Sequence, residues 1–460
     1  MKMQRKINFV LGFKVIYLLH VLLAFNCFLF RNKILDYTSV LVIALGFILL
    51  LQRVRNLKEI ISYKFMWLFL LFLISYGLST VLNWKYGFFG NIKGGIWLTL
   101  QLLLLYFMEP ERYAGEYKYE LKVLSWVTII YTAVCSLLGM FMAFFSFGGR
   151  MDFKDGTGTF YGFVWGRLWG CYTDPNHGAL VTVVGIFLAI YLLFNVRKKN
   201  VKILLIVTIF LNFLYLVFSD SRSAKISFTI GCIVLIYLGL KVKVKKFDVK
   251  KKIMQIVITL VASLCIYMSF SGVKEAYNYC ISALGIGASQ EEIDSGKSKK
   301  IGREQDIEGD YSNRRFDIWG SGVEIFKEKP VTGIGFRNII SYAETELPDT
   351  YIVNNDYGKF DSFHNVVIDV LVSQGVIGIV LLLGIGISVF VYSVKKMFFE
   401  QKYKPLECRI LFTIVLVIVI DAMFISAIFY VNSPETFLFW SMLGYLICFL
   451  KGKRNEECTN

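Results

Sequence analysis

The chain has 460 residues, of which 56% are apolar and only 18% charged, and its mean hydropathy is +0.57. Soluble domains are roughly 45–50% apolar and about 25% charged. A soluble fold could not bury this much apolar surface, because the area of a folded protein grows too quickly with its mass. The apolar content also excludes a disordered chain and a disulfide scaffold. The composition therefore predicts an all-α, polytopic integral membrane protein.

The charge balance is strongly basic, with 50 Lys and Arg against 34 Asp and Glu, a net charge of +16. In a membrane protein such an excess belongs on cytoplasmic loops, so we expect no nucleic-acid partner. The nine cysteines mostly fall in apolar segments and are expected to act as small packing residues. Cys171 and Cys280 are both predicted on the outer side, which leaves one disulfide open.

Apolar segments that approach the roughly 20 residues needed to cross a bilayer occur twelve times. They are 8–30, 34–51, 64–82, 92–108, 121–145, 176–194, 201–218, 223–240, 253–271, 364–394, 410–430 and 435–450. The first lacks a following small-residue cleavage site, so we expect a retained helix. Lys and Arg concentrate in the connections on the side of the N-terminus. This pattern predicts that both termini are cytoplasmic.

The predicted spans divide the chain into four parts. These are five N-terminal spans (1–145), spans six to nine with a preceding external loop (146–271), a large external loop (272–362), and spans ten to twelve with a cytoplasmic tail (363–460).

The large external loop contains one amphipathic pattern, in residues 313–330. Its apolar side chains recur at helical spacing, with Asn313 as the predicted cap and Pro330 at the end. Such a helix suits the membrane surface. Arg315 lies about 40° around the helix from Trp319, on the edge of the apolar face, whereas Arg314 points away. The Arg315 guanidinium could bind a lipid phosphate through two hydrogen bonds, or simply contact bulk headgroups.

Two further groups of polar residues lie at predicted membrane boundaries, where ionisable side chains are costly and often functional. Asp174 precedes a proline, which is typical of a helix start and would explain Asp174 and Asn176 without a functional role. Capping does not explain Arg167, which could face an anion. Arg222 and Lys225 are three residues apart and share a helical face. They could bind an anion or reach for lipid headgroups.

His364 is one of only three histidines, and it stands where the large loop returns to the membrane. Histidine is well suited to proton transfer near neutral pH. His20, on an apolar helix, is expected to be structural, and His177 is ambiguous. Asp369 is five residues beyond His364 and is not expected to orient it directly. The sequence indicates no catalytic role for Asp421.

In their order and spacing these groups resemble the bacterial O-antigen polymerase and O-antigen ligase superfamily, which includes capsule polymerases. The resemblance covers roughly residues 165–395, and the first five spans carry no motif. The matching motifs are His364-Asn365 followed by Gly375-Val376-Ile377-Gly378, Arg315 with Trp319 and Pro330-Val331-Thr332-Gly333-Ile334-Gly335, Ser221-Arg222-Ser223, and Asp174-Pro175-Asn176.

The resemblance implies glycosyl transfer on the outer face of the membrane, from a glycan on undecaprenyl diphosphate to a sugar hydroxyl. It implies that Arg222 and Arg315 bind the diphosphate and that His364 engages the acceptor hydroxyl. Arg167 and Lys225 are further predicted substrate-binding residues. The predicted supporting residues are Asn365, Asp174, Asn176, Arg314 and Trp319. Other implied partners are membrane lipid, a chain-length regulator and a flippase.

Within this family we favour a polymerase that joins lipid-linked repeat units without a metal, and three alternatives stay open at this point. A ligase would pass the finished glycan to a different acceptor, which the motifs do not encode. A flippase or other transporter would need ionisable residues along a path through many helices, whereas Lys14, Asp421 and little else are predicted to lie deep. A metal-dependent glycosyltransferase would need an acidic motif in the first external loop, where only Asp36 is near. We therefore expect neither a metal nor a cofactor.

Overall fold

The protein is built almost entirely from apolar helices. The computed structural model describes residues 9–109, 112, 114–153, 157–240, 249–284, 299–302, 314–400 and 404–451. Within them, each of the twelve predicted apolar segments contains a helix. Eight helices are long and apolar enough to cross a membrane, and two shorter apolar helices accompany them. These features confirm the predicted all-α, polytopic membrane fold. Asn313 and the tail 452–460 lie outside the described residues.

The first half of the chain contains seven helices and one small sheet among its described residues. They are α1 (Phe9–Ala24), α2 (Lys33–Val54), α3 (Leu57–Ser62), α4 (Met66–Leu82), α5 (Trp84–Leu100, continued by a π-helical turn Gln101–Tyr106), α6 (Ala114–Phe144), β1 (Gly148–Asp152), β2 (Gly158–Val164), β3 (Arg167–Gly170) and α7 (Pro175–Asn195).

The described residues of the second half contain eight more helices. They are α8 (Lys199–Phe218), α9 (Arg222–Gly239), α10 (Val249–Ala283), α11 (Arg315–Glu328), α12 (Ile339–Glu346, preceded by a 3₁₀ turn Phe336–Asn338), α13 (Val366–Val394, continued by a π-helical turn Lys395–Phe399), α14 (Leu406–Asp421) and α15 (Pro434–Lys451). The predicted amphipathic helix is α11. Arg314, whose backbone is left-handed, stands at its cap position.

The external loop predicted before the sixth span is rich in glycine and aromatic residues, and its described part contains an antiparallel sheet in the order β1–β2–β3. Gly148 pairs with Gly162, which in turn pairs with Gly170. Aromatic residues favour strands, whereas glycines weaken them. The sequence therefore carried opposing signals here, and the strands were not predicted.

A crossing of two backbones explains the glycines of the Pro330–Gly335 motif. Ile334 N–H donates to Val372 O at 2.9 Å, and this places the motif directly against α13. Gly333 and Gly375 both have left-handed backbones, and a Cβ on either would come within 2.5 Å of backbone atoms of the other segment. Only glycine allows so close an approach.

The prediction of a span over 410–430 is wrong at its end, because α14 stops at Asp421. Residues 422–433 form a non-helical connection, in which Ile428 and Tyr430 have left-handed backbones. The connection is nonetheless largely buried. Hydropathy cannot separate a buried apolar loop from an apolar helix, since both consist of the same residue types. The disulfide between Cys171 and Cys280, which the sequence left as a possibility, is not formed. Cys171 is buried, Cys280 is exposed, and both are free cysteines.

A buried ion-pair network joins α1, α6 and α15. Lys14 Nζ donates to Glu120 Oε2 at 2.9 Å and to the Tyr445 hydroxyl at 3.1 Å. Arg112 donates to the second Glu120 oxygen at 2.6 Å. The expectation that few ionisable groups accompany Lys14 at depth is therefore wrong. Because these charges largely neutralise one another, we interpret the network as a structural link between the helices.

We predict that Lys14→Met lowers the free energy of unfolding by about 3 kcal/mol, because it leaves the buried Glu120 with one cation fewer. Lys85→Met is the matched control, since the Lys85–Glu346 pair is largely exposed and should contribute less than about 1 kcal/mol. Denaturant unfolding in detergent micelles measures both. Equal effects of the two substitutions would contradict a structural role for the buried pair.

Candidate functional site

A cavity of about 450 Å³ opens beside the first turns of α9 and α11. Four basic side chains line it, together with an apolar and aromatic wall, and we call it the cationic cavity. The basic residues are Arg222, Lys225, Lys274 and Arg315. The aromatic residues are Tyr267, Phe270, Phe316, Trp319 and Phe424. This combination suits an anion attached to an apolar chain.

The start of α9 contributes two of the four cations. Ser221 occupies the cap position of α9, and Arg222 is its first helical residue. The positive end of the helix dipole lies at the same terminus and also favours a bound anion. Lys225 Nζ lies 4.0 Å from the centre of the Tyr267 ring, which holds the ammonium by a cation–π contact. Both residues were predicted, and the structure places both at the cationic cavity.

The start of α11 contributes Arg315. Its Nη2 donates to Phe424 O at 3.2 Å, and its guanidinium lies over the Phe424 ring. Trp319, one turn further, lines the cavity and donates from Nε1 to Phe363 O at 3.0 Å. Arg314 instead places its guanidinium over the ring of Tyr357. The predicted difference in direction between the two arginines is therefore present in the structure.

Lys274 is a cavity residue that sequence reasoning missed. The predicted ninth span ended at residue 271, whereas α10 continues to Ala283 and brings Lys274 to the cavity. Lys274 Nζ lies 3.3 Å from Asp220 Oδ1, and Asp220 also lines the cavity. The only available signal was that apolar residues persist at helical spacing beyond 271 in the sequence.

His364 lies beside the cationic cavity, and is not among the described residues that line it. It has a left-handed backbone with φ of 50° and immediately precedes the α13 cap. Burial lowers the pKa of its imidazole, while the charges of Asp174 and Arg315 act on it in opposite directions. The imidazole is therefore neutral at pH 7 and can accept a proton.

Asn365 has a structural task that joins two parts of the site. Its Oδ1 accepts from Val367 N–H at 2.9 Å and so caps α13, while its Nδ2 donates to Met423 O at 3.0 Å. Met423 precedes Phe424, the residue whose carbonyl binds Arg315. The His364 segment and Arg315 are therefore both attached to the same short stretch of the 422–433 connection.

In the described part of the chain, the side chains of the Asp174 group bond to one another and to the backbone. Asp174 Oδ1 accepts from the N–H groups of Asn176 and His177 and caps α7. Burial alone would raise the pKa of the Asp174 carboxyl, but the charges of His177 and Arg167 and these hydrogen bonds hold it below its usual value. Arg167 is buried and donates to Ser219 O at 2.8 Å and to Asn176 Oδ1 at 2.9 Å. It does not line the cationic cavity.

Two more carboxylates, those of Glu435 and Asp421, lie close to this group. His177 Nδ1 contacts Glu435 Oε1. Asp421 is fully buried, and its Oδ2 accepts from Ser227 Oγ at 3.0 Å. The other Asp421 oxygen has no hydrogen-bond partner among the described residues. Asp421 thus belongs to a buried polar network between α9 and α14.

Residues 207–383 match a family model described as O-antigen ligase. The match confirms the resemblance to the O-antigen polymerase and ligase superfamily. It indicates a bacterial membrane protein that takes part in processing surface polysaccharide. The matched segment contains all four cations of the cationic cavity, and His364. No curated protein matches the chain.

We predict that Arg167→Met lowers the free energy of unfolding by about 2 kcal/mol, because it removes two hydrogen bonds inside the protein. Binding of inorganic pyrophosphate to the purified protein should not change. Arg150→Met, which removes an exposed arginine from strand β1 of the same sheet, should change the unfolding free energy by less than about 1 kcal/mol. Lost pyrophosphate binding with unchanged stability would instead assign Arg167 to the ligand site.

Proposed function

We propose that the protein is a glycosyltransferase that polymerises undecaprenyl-diphosphate-linked repeat units into O-antigen or capsular polysaccharide. The observation that carries this proposal is the cationic cavity, with four basic side chains and an aromatic wall, whose Trp319 donates to the carbonyl of Phe363 beside His364. The match to the O-antigen ligase family model supports the substrate class.

The cavity chemistry fits a lipid diphosphate. The cations would neutralise the phosphate oxygens, and the apolar wall would accept the first units of the isoprenoid chain. Planar guanidinium groups can each bind two phosphate oxygens. Preorganised positive charge of this kind stabilises the charge that grows on a departing diphosphate. In this proposal the chain's own side chains do this without a metal ion.

The transfer step would be an inverting displacement. The acceptor sugar oxygen forms a bond to the anomeric carbon of the donor, and the bond from that carbon to the diphosphate oxygen breaks. The electron pair of the broken bond leaves with the diphosphate, which the cations hold. The proton of the acceptor hydroxyl passes to the neutral His364 imidazole, which acts as general base.

We place this site on the outer face of the cytoplasmic membrane, with both termini in the cytoplasm. The helices α9, α11 and α13 begin at the site. The lysine-rich stretch 241–252 follows the opposite end of α9. The positive-inside rule favours the cytoplasm for that end, and therefore favours the outer face for the cationic cavity.

A ligase is the second candidate, because the matching family model is described as O-antigen ligase. The two activities share the donor and differ in the acceptor. The deciding assay incubates purified protein with a lipid-diphosphate repeat unit as both donor and acceptor. Longer lipid-linked chains would support the polymerase. Glycan transfer only to an added, chemically different acceptor would support the ligase.

We predict that His364→Ala abolishes chain growth, because it removes the imidazole to which we assign the hydroxyl proton. The variant should insert in membranes and unfold like the wild type. Product length on gels and the melting temperature in detergent measure the two properties. Full activity of His364→Ala would contradict the proposed general base.

We predict that Arg315→Lys lowers kcat at least about tenfold, because an ammonium cannot bind two phosphate oxygens in the manner of a guanidinium. Lys327→Ala is the control, since it removes an exposed cation from the same helix. It should retain the wild-type rate. Equal losses in both variants would mean that the loss at position 315 reflects a general perturbation of α11 and not the loss of bidentate phosphate binding.

The pH dependence follows from the direction of the His364 pKa. Burial lowers the pKa of the imidazole below its usual value of about 6.5. A general base is active in its neutral form, so kcat/KM should stay constant from pH 8 to about pH 6.5 and fall only below that. A pH–rate profile measures the inflection. An inflection above pH 7 would mean that a different group accepts the proton.

A further inference from the structure

The carboxylate of Asp369 is buried in the first turn of α13, directly behind His364. Its Oδ1 accepts from Phe363 N–H at 2.8 Å. Its Oδ2 accepts from the Ser426 hydroxyl at 2.9 Å. Asp369 therefore holds the residue that precedes His364, and Ser426 in turn holds Asp369. The contact with the histidine is made through the backbone of Phe363, which agrees with the expectation that Asp369 does not orient His364 directly.

His364 needs this support because its backbone is strained. A left-handed conformation is unfavourable for a residue with a side chain, and persists only where neighbouring contacts enforce it. Phe363 is held at its N–H by Asp369 and at its carbonyl by Trp319 Nε1. On the other side, Asn365 is held by the Met423 carbonyl. Hydrogen bonds to both of its neighbours in sequence thus hold the backbone of His364 in place.

We propose that Asp369 is a positioning residue, which directs the His364 imidazole at the acceptor hydroxyl by fixing the Phe363 N–H. Ser426 is the second positioning residue, since it orients the carboxylate. The inference rests on the proposed function, because it assigns His364 a reacting proton. The requirement is a hydrogen-bond acceptor at position 369, not a negative charge that takes part in the reaction.

The capping of α13 does not explain Asp369. The cap is Asn365, whose Oδ1 accepts from the N–H groups of Val367 and Ile368. An Asp in a first turn also interacts favourably with the helix dipole. An exposed carboxylate would make the same interaction and would need no particular hydrogen-bond partner. Here both oxygens have one defined partner each, and one of those partners adjoins the catalytic histidine.

Three substitutions separate the positioning role from the alternatives. Asp369→Leu keeps the size and removes both hydrogen bonds. Asp369→Asn keeps an oxygen for the Phe363 N–H, and its amide can donate to Ser426 Oγ. Ser426→Ala removes only the second bond. Ser393→Ala is the matched control, because Ser393 is a buried serine near the far end of α13 whose hydroxyl has no hydrogen-bond partner among the described residues.

The experiment measures kcat and KM for the lipid-diphosphate repeat unit with each purified full-length variant. Misplacing a catalytic group by about 1 Å can lower a rate about 10²-fold. We expect Asp369→Leu to lose about that factor in kcat with KM unchanged, since the cationic cavity is intact. Asp369→Asn should restore most of the rate, with the wild-type pH profile. Ser426→Ala should lose kcat at constant KM, and Ser393→Ala should match the wild type.

Other results would overturn the inference. If Asp369→Asn is as inactive as Asp369→Leu, the carboxylate charge itself takes part in the reaction. If Ser426→Ala and Asp369→Leu both keep the wild-type kcat, the histidine needs no such support. Should Asp369→Leu fail to fold, Ser426→Ala and Asp369→Asn decide the question. Wild-type activity of His364→Ala would instead refute the proposed function, whatever the result at position 369.

Discussion

The buried connection 422–433 imposes the constraint on which the site depends. It follows a membrane helix and is not itself helical, so its carbonyl groups cannot all be satisfied within the segment. A backbone carbonyl without a partner in an apolar environment costs several kcal/mol. The site supplies the partners: Arg315 donates to Phe424 O, Asn365 to Met423 O, and Val366 N–H to Ala422 O.

This constraint couples the diphosphate side of the proposed reaction to the acceptor side. Arg315 begins α11 and His364 precedes α13, and the chain between them includes a loop and α12. Their separation would vary if each were held only by its own helix. Arg315 bonds to Phe424, and Asn365, the neighbour of His364, bonds to Met423, so the distance depends on one short segment. Such preorganisation is what a displacement reaction requires of its catalytic groups.

Much of the fold could be predicted from hydropathy, because each membrane helix must bury a long apolar stretch. The three cations Arg222, Lys225 and Arg315 could be found as well, since basic side chains at a membrane boundary are conspicuous. The connection 422–433 could not, because its apolar residues look like the end of a span. Lys274 was missed because it lies on a helical extension beyond the bilayer-length window.

The roles of individual polar residues were the least predictable, since a sequence shows neither the direction of a side chain nor its hydrogen-bond partners. Arg167 and Arg315 are both arginines at a boundary, yet one joins β3 to α7 and α8 and the other lines the cationic cavity. The sequence indicated only that Asp369 does not orient His364 directly, and it gave no sign of an indirect contact. That contact runs through the backbone of Phe363 and arises because the chain turns sharply before α13.

The cationic cavity differs from the buried network around Lys14 in its balance of positive and negative side chains, and this difference favours an anionic ligand. In the described network around Lys14, a carboxylate and two cations lie close together and neutralise much of each other's charge. At the cationic cavity, four cations meet a single lining carboxylate, Asp220. Like charges brought together in a partly apolar cavity repel one another, and a bound diphosphate would relieve that repulsion. Guanidinium and ammonium groups gathered beside an apolar and aromatic wall are the chemistry that an anionic lipid requires, and this is the ligand that we propose.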